Sequence, residues 1–122
     1  VELPAGLPGV RIGKGALRQI LVNYVANALK HAGPESAVRV GARQDSDAVE
    51  IWVRDEGPGI PQADLPRVFE RFFRVEKART RGAGGSGLGL SIVKHLAENA
   101  GGQVGAENLT PGCRFWVRLK AV

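Results

Sequence analysis

The run Gly82-Ala83-Gly84-Gly85-Ser86-Gly87-Leu88-Gly89-Leu90 constrains this chain more than any other stretch. Glycines this dense disfavour a helix or strand interior, because glycine gives up more backbone freedom on folding than any other residue. Yet the run leads straight into Leu90, Ile92, Val93 and Leu96, the spacing of an amphipathic helix. A flexible linker would not end that way. Backbone N–H groups without side chains in the way can converge on an anion, and a helix start adds its positive dipole end. Gly82, Gly84 and Gly87 match GxGxxG, but Glu76 to Arg81 before them are charged rather than an apolar strand, which excludes a dinucleotide fingerprint. No Gly-Lys-Ser/Thr occurs, which excludes a P-loop.

The rest of the chain alternates helical and extended patterns. Residues 1 to 13 are Pro- and Gly-rich and read as an edge strand and loop. From Lys14 to Ala32, the residues Leu17, Ile20, Leu21, Tyr24, Val25, Ala28 and Leu29 recur at three- and four-residue steps, and Gly33-Pro34 stops the helix. Val38 to Arg43 and Val49 to Asp55 make a hairpin around Asp45-Ser46-Asp47. A short helix is predicted near Gln62 to Phe69, a charged then Gly-rich loop over 76 to 87, and a second helix from Leu88 to Ala100 closed by Gly101-Gly102. Gln103 to Glu107 and Arg114 to Leu119 form a final hairpin around Pro111-Gly112. The sum is an α/β (α+β) two-layer sandwich: a mixed, mostly antiparallel sheet with helices on one face.

With 122 residues and 43% hydrophobic composition, this is one globular domain with one small core. The net charge of +5 is concentrated: Arg67, Arg71, Arg74, Lys77, Arg79 and Arg81 meet only Glu70 and Glu76 between 67 and 81. A cationic segment beside a glycine run suits a phosphate-bearing ligand, and the lack of interleaved aromatics argues against nucleic acid. The single cysteine, Cys113, allows no internal disulfide; it falls in an apolar stretch and reads as a buried thiol in a reducing compartment.

Three further constellations carry chemistry. Asn23 and Asn27 sit four apart on one face of the first helix, where Asn is a poor residue. They either bond neighbouring backbone or offer a hard oxygen to a phosphate-bound Mg²⁺. Lys30 and His31 follow at the same helix end, where Lys30 can reach an anion and His31 alone suggests packing. Asp55-Glu56-Gly57-Pro58-Gly59-Ile60 follows an apolar strand. Such an Asp is either part of an ordinary turn or a carboxylate that accepts from an exocyclic amine, with glycines letting the backbone approach a flat ligand. Phe69-Glu70-Arg71-Phe72-Phe73-Arg74 holds three of the chain's four Phe residues, either as a plain hydrophobic cluster or as a hinge that turns Arg74 to phosphate.

Taken in order, these pieces resemble the ATP-binding domain of two-component sensor histidine kinases, across essentially residues 1–122. Leu17 to His31 is similar to that family's N box, Asp55 to Gly59 to its G1 box, Phe69 to Arg74 to its F box and Gly85 to Leu90 to its G2 box. The resemblance implies a Bergerat-type fold binding ATP and Mg²⁺. By matching position, Asn27 with Asn23 beside it would take Mg²⁺, and Lys30 and Arg74 would contact phosphates. His31 would lie near ribose and phosphates, and Asp55 would accept from the adenine amine beside Gly57, Gly59 and Ile60. Gly85, Ser86, Gly87, Leu88 and Gly89 would wrap the phosphates, with residues 76 to 87 as the ATP lid. Asn27, Lys30 and Arg74 would carry the transfer.

Related hydrolases of the gyrase and Hsp90 group have Glu four residues before the Mg²⁺-binding Asn; Asn23 stands there and cannot act as a general base. The resemblance therefore implies phosphoryl transfer with slow hydrolysis, over a stand-alone ATPase or a regulatory module without transfer. The acceptor would be a histidine on a separate dimerisation domain, since neither His31-Ala32 nor His95-Leu96 has the acidic residue that follows an acceptor. A response regulator is the indirect partner, nucleic acid is not one, and the domain is expected to be monomeric. It is expected to be the cytoplasmic portion of a bacterial sensor whose membrane anchor lies elsewhere. Gly13-Lys14-Gly15 and His31 depart from the family, which has an acidic residue and an aromatic at those places.

Overall fold

A computed structural model describes residues 9–32 (backbone only for 31 and 32), 37–70, 89–109 and 111–121. The helix α1 spans Lys14–Ala32. The strands are β1 Val38–Asp45, β2 Ala48–Asp55, β3 Gln103–Asn108 and β4 Cys113–Lys120. A 3-10 helix covers Gln62–Arg67, and α2 spans Gly89–Asn99.

The four strands form one sheet in the order β1-β2-β4-β3, and the pairings within it are antiparallel. This lies within the mostly antiparallel sheet expected. The β1–β2 hairpin turns on Ser46-Asp47, with Ser46 at φ 57°, the positive φ that matches a two-residue turn to the strands' twist. Of the amino-terminal edge strand only one bridge lies within the described residues, Val10 with Ala121.

Strand alternation gives the sheet two unlike faces. On one, Val40, Val53, Phe115 and Ala106 line up across the strands, as do Ala42, Ile51, Val117 and Val104. The helices cover this face. Ile20, Tyr24 and Ala28 form the buried stripe of α1, and Val93 and Ala97 that of α2. Leu29 follows the same helical period but is 56% exposed, because the buried stripe is narrow and ends on its neighbour Ala28. Phe115 is the centre of the core: Tyr24 tilts against it at 5.6 Å and Phe69 meets it edge-on at 6.3 Å. Burial pushes the Tyr24 hydroxyl's pKa up, and the hydroxyl donates to the Trp116 carbonyl at 2.7 Å.

The opposite face carries Arg39, Arg54, Arg114 and Glu107 in one row and Trp52 beside Trp116 in the next. α2 ends as expected: Gly102 N–H donates to Ala97 O at 2.8 Å and Gly101 N–H to Glu98 O at 3.0 Å, a Schellman closure. Among the described residues no helix is long and apolar enough to cross a membrane.

Candidate nucleotide site

Helix α1 packs over β1 and β2 and against α2, and the candidate residues lie on three sequence-distant pieces. The first piece is the asparagine face. Asn23 Nδ2 donates to the carbonyl of Gly89, the first residue of α2, at 3.0 Å, while Gln19 Nε2 donates to Asn23 Oδ1 at 2.8 Å. The middle of α1 is thereby tied to the helix start that closes the glycine run. Asn23 Oδ1 keeps one lone pair beyond the bond from Gln19.

One turn on, Asn27 is half-buried, and its Nδ2 has no hydrogen-bond partner among the described residues. A buried donor left unpaired costs about 1–3 kcal/mol. Lys30, a further turn along, is exposed.

The second piece is the end of β2. Asp55 is 1% exposed, and its Oδ1 accepts from Gly57 N–H at 2.9 Å, which curls the chain immediately after the strand. Gly59 sits at φ +80°, a conformation that favours glycine, and Ile60 turns back into the core at 4% exposure. The 3-10 helix then begins from Pro61, whose carbonyl accepts from Asp64 N–H at 2.8 Å.

The third piece, which sequence reasoning missed, is the β3–β4 hairpin beneath that loop. Asn108 bonds both backbone polar groups of Ile60: it accepts from Ile60 N–H at 2.8 Å and donates to Ile60 O at 2.6 Å. Gly112, at φ +98°, lies so close to the Asp55 carbonyl that any side chain there would overlap it. Cys113 is the register partner of Asp55 and is 1% exposed. Burial, reinforced by the negative charge of Asp55, pushes its thiol up to about 12. This is the buried, inert thiol expected. The signal in the sequence was slight, since Asn108 ahead of Pro111-Gly112 reads as an ordinary turn former.

The side chain of His31 and all of Arg74, Gly85, Ser86, Gly87 and Leu88 lie outside the described residues, as does the expected lid over 76 to 87. Of the Phe69 to Arg74 cluster, Phe69 and Glu70 are described, and Phe69 pins its segment on Phe115. Among the described residues no three His, Cys, Asp or Glu side chains gather to hold a metal.

The profile of the histidine kinase-, DNA gyrase B- and HSP90-like ATPases matches residues 13–122. The chain belongs to this family. It is 40% identical over 115 residues to the sensor histidine kinase WalK of Bacillus subtilis, covering 89% of this chain and 19% of that protein. The chain thus spans about a fifth of the relative's length. Its fold is that of a histidine kinase catalytic domain. It superposes on the catalytic domain of the histidine kinase ThkA with a TM-score of 0.84 at 26% identity, covering 98% of this chain and 77% of that one. Full-length ShkA, solved in complex with AMPPNP, gives a TM-score of 0.82 at 33% identity over 99% of this chain and 25% of that one. The segment likened to the N box lies on α1, that likened to the G1 box is the turn after β2, and the last two residues of the segment likened to the G2 box open α2.

Proposed function

We propose that the chain binds Mg-ATP and donates the γ-phosphoryl group to a histidine on a separate dimerisation domain of its parent protein. The observation that carries this reading is Asn27. Its amide is half-buried with a donor unpaired among the described residues, one turn from the Asn23–Gly89 tie that brings the start of α2 to the same place. A hydrated cation carried by phosphates would resolve that cost, with Asn27 Oδ1 as a ligand and Nδ2 donating to water or phosphate.

In this reading Asp55 takes the exocyclic amine of adenine, with Gly57, Gly59 and Ile60 forming the wall against the ring. The AMPPNP complex of ShkA supports an adenine nucleotide as ligand. Lys30, Arg74 and the amides from Gly85 to Gly89 would neutralise the phosphates, Ser86 and Leu88 lying within that segment, and His31 would sit beside the ribose. Asn23 would act first through Gly89, holding the start of α2, with its spare lone pair available to the cation. Mg²⁺ supplies charge neutralisation at the transferring phosphoryl group when bound.

Transfer is favoured over hydrolysis because Asn23, facing Gly89 and Gln19, offers no carboxylate to activate water. The partners would be the parent's phosphoacceptor domain and, through it, a response regulator, with the parent anchored in a bacterial membrane and this domain in the cytoplasm.

The test is titration of the chain with a fluorescent ATP analogue, with and without Mg²⁺, followed by mixing with the parent's dimerisation domain and labelled ATP. Nucleotide binding followed by phosphohistidine on that domain is expected. Binding without transfer would favour a regulatory module, and turnover as fast as a dedicated ATPase would overturn the transfer reading.

A further inference from the structure

Asn108 ends β3 and belongs to none of the four boxes. Its carboxamide forms a two-bond ring with the backbone of Ile60, a residue 48 positions away in sequence. One amide satisfying both groups of a single residue does for this loop what a neighbouring strand does for a strand. The fit depends on Gly59, where a Cβ would stand 2.9 Å from Asn108 Oδ1. The loop is therefore fixed at both ends, by Asp55 Oδ1 on Gly57 N–H and by Asn108 on Ile60.

The core itself does not rest on this arrangement, although losing it strips two hydrogen bonds from the backbone of Ile60. Asn108 is exposed, so removing its amide opens no cavity in the core. The β3–β4 ladder runs through backbone groups and would survive the loss.

We infer that Asn108 is a positioning residue for the nucleobase, holding the Asp55–Ile60 loop in its binding conformation before ligand arrives. The inference rests on the assignment of that loop to the base under the proposed function. Its physical content is pre-organisation. A loop already held loses little entropy when it closes on a ring, whereas a released loop must be ordered by the ligand and binds it more weakly. Discrimination between bases suffers most, because it depends on the placement of the Asp55 carboxylate against one edge of the ring.

The experiment measures displacement of a fluorescent ATP analogue from the chain by ATP and by GTP, with thermal unfolding in parallel. Wild type should prefer ATP. Asn108→Ala should bind ATP about tenfold more weakly with much of the ATP/GTP preference lost, while the unfolding midpoint falls by the few degrees that two lost hydrogen bonds cost and unfolding stays a single transition. Asn108→Asp keeps an acceptor for Ile60 N–H but loses the donor, and should fall between the two. If Asn108→Ala does not fold, the ratio in Asn108→Asp decides the matter alone. Equal losses for ATP and GTP, or no loss, would overturn the positioning role. Wild type that binds neither nucleotide, or both alike, would instead overturn the assignment of the loop to adenine.

Discussion

Asn23 on α1 donates its side-chain amide to the carbonyl of Gly89, the residue that opens α2, at 3.0 Å. The bond spans 66 positions of sequence and couples the asparagine helix to the end of the glycine run. Asn23→Asp removes the donor and sets a carboxylate against a carbonyl oxygen. Loss of about 1–2 kcal/mol of stability is expected, with weaker nucleotide binding through a displaced α2 start. Asn23→Gln, with its longer reach, should recover part of both. Denaturant unfolding monitored through Trp52 and Trp116 measures the first, and analogue titration the second. An Asp variant as stable as wild type would show that the bond carries no weight.

Asn27 should behave in the opposite way. Its Nδ2, unpaired among the described residues, is a cost in the nucleotide-free domain, so Asn27→Ala is expected to leave stability unchanged or to raise it. The same variant should lose the Mg²⁺-dependent part of nucleotide affinity while keeping the Mg²⁺-independent part. Residues that weaken a fold for the sake of a site are placed in this way. Isothermal titration with and without Mg²⁺, beside thermal unfolding of the empty domain, checks both halves. Clear destabilisation with Mg²⁺ dependence intact would make Asn27 a structural residue.

How much of this could be read from the chain follows from the range of the interactions involved. Hydrophobic period and glycine placement are local signals, and they located α1, α2, both hairpins and the Gly101-Gly102 closure to within a residue or two of their observed ends. Local period could not tell Leu29 from Ala28, since which residue of the pair is buried depends on how α1 rolls on the sheet. It could not show Gly112 under Asp55 or Asn108 on Ile60 either. Those contacts exist only after β4 has entered the sheet between β2 and β3, and a side chain bonded across 48 residues leaves no pattern in its own neighbourhood. The turn after β2 and the helix start at Gly89 were legible because each combines an unusual residue with a break in period.

Cys113 gives a prediction with a defined direction in pH. Burial, with the charge of Asp55 beside it, raises the thiol from 9.0 to about 12, and burial raises the Tyr24 hydroxyl as well. The folded state therefore holds its protons more tightly than the unfolded state. The stabilisation is complete below pH 9.0 and is lost as pH rises from there toward about 12. Unfolding midpoints in urea should fall over that window, and less steeply in Cys113→Ala. At neutral pH an aromatic disulfide reagent should label the native thiol only as fast as the chain opens. Labelling at the rate of the urea-unfolded protein would show that the thiol is accessible.

The outer face of the sheet tests whether stability and site can be separated. Glu50, 6% exposed, takes the Arg114 guanidinium and, at 3.3 Å, Arg43 Nε on one carboxylate oxygen, while Arg114 also donates to Glu107 at 2.8 Å. The two arginines differ in surroundings: the Arg43 side chain is 62% exposed and that of Arg114 only 18%. Water screens the first pair, so Arg43→Ala should cost less than about 1 kcal/mol. Glu50→Ala leaves a mostly buried guanidinium with only Glu107, and should cost about 2–3 kcal/mol. Replacing Glu50 and Arg114 together with leucine should recover much of that loss, since the penalty lies in the stranded charge rather than in the missing pair. Glu50 lies on the sheet face opposite the helix that carries Asn23 and Asn27, so ATP-analogue affinity should stay at the wild-type value in every variant that remains folded. Equal costs for Arg43→Ala and Glu50→Ala would mean that burial does not set the strength of this network.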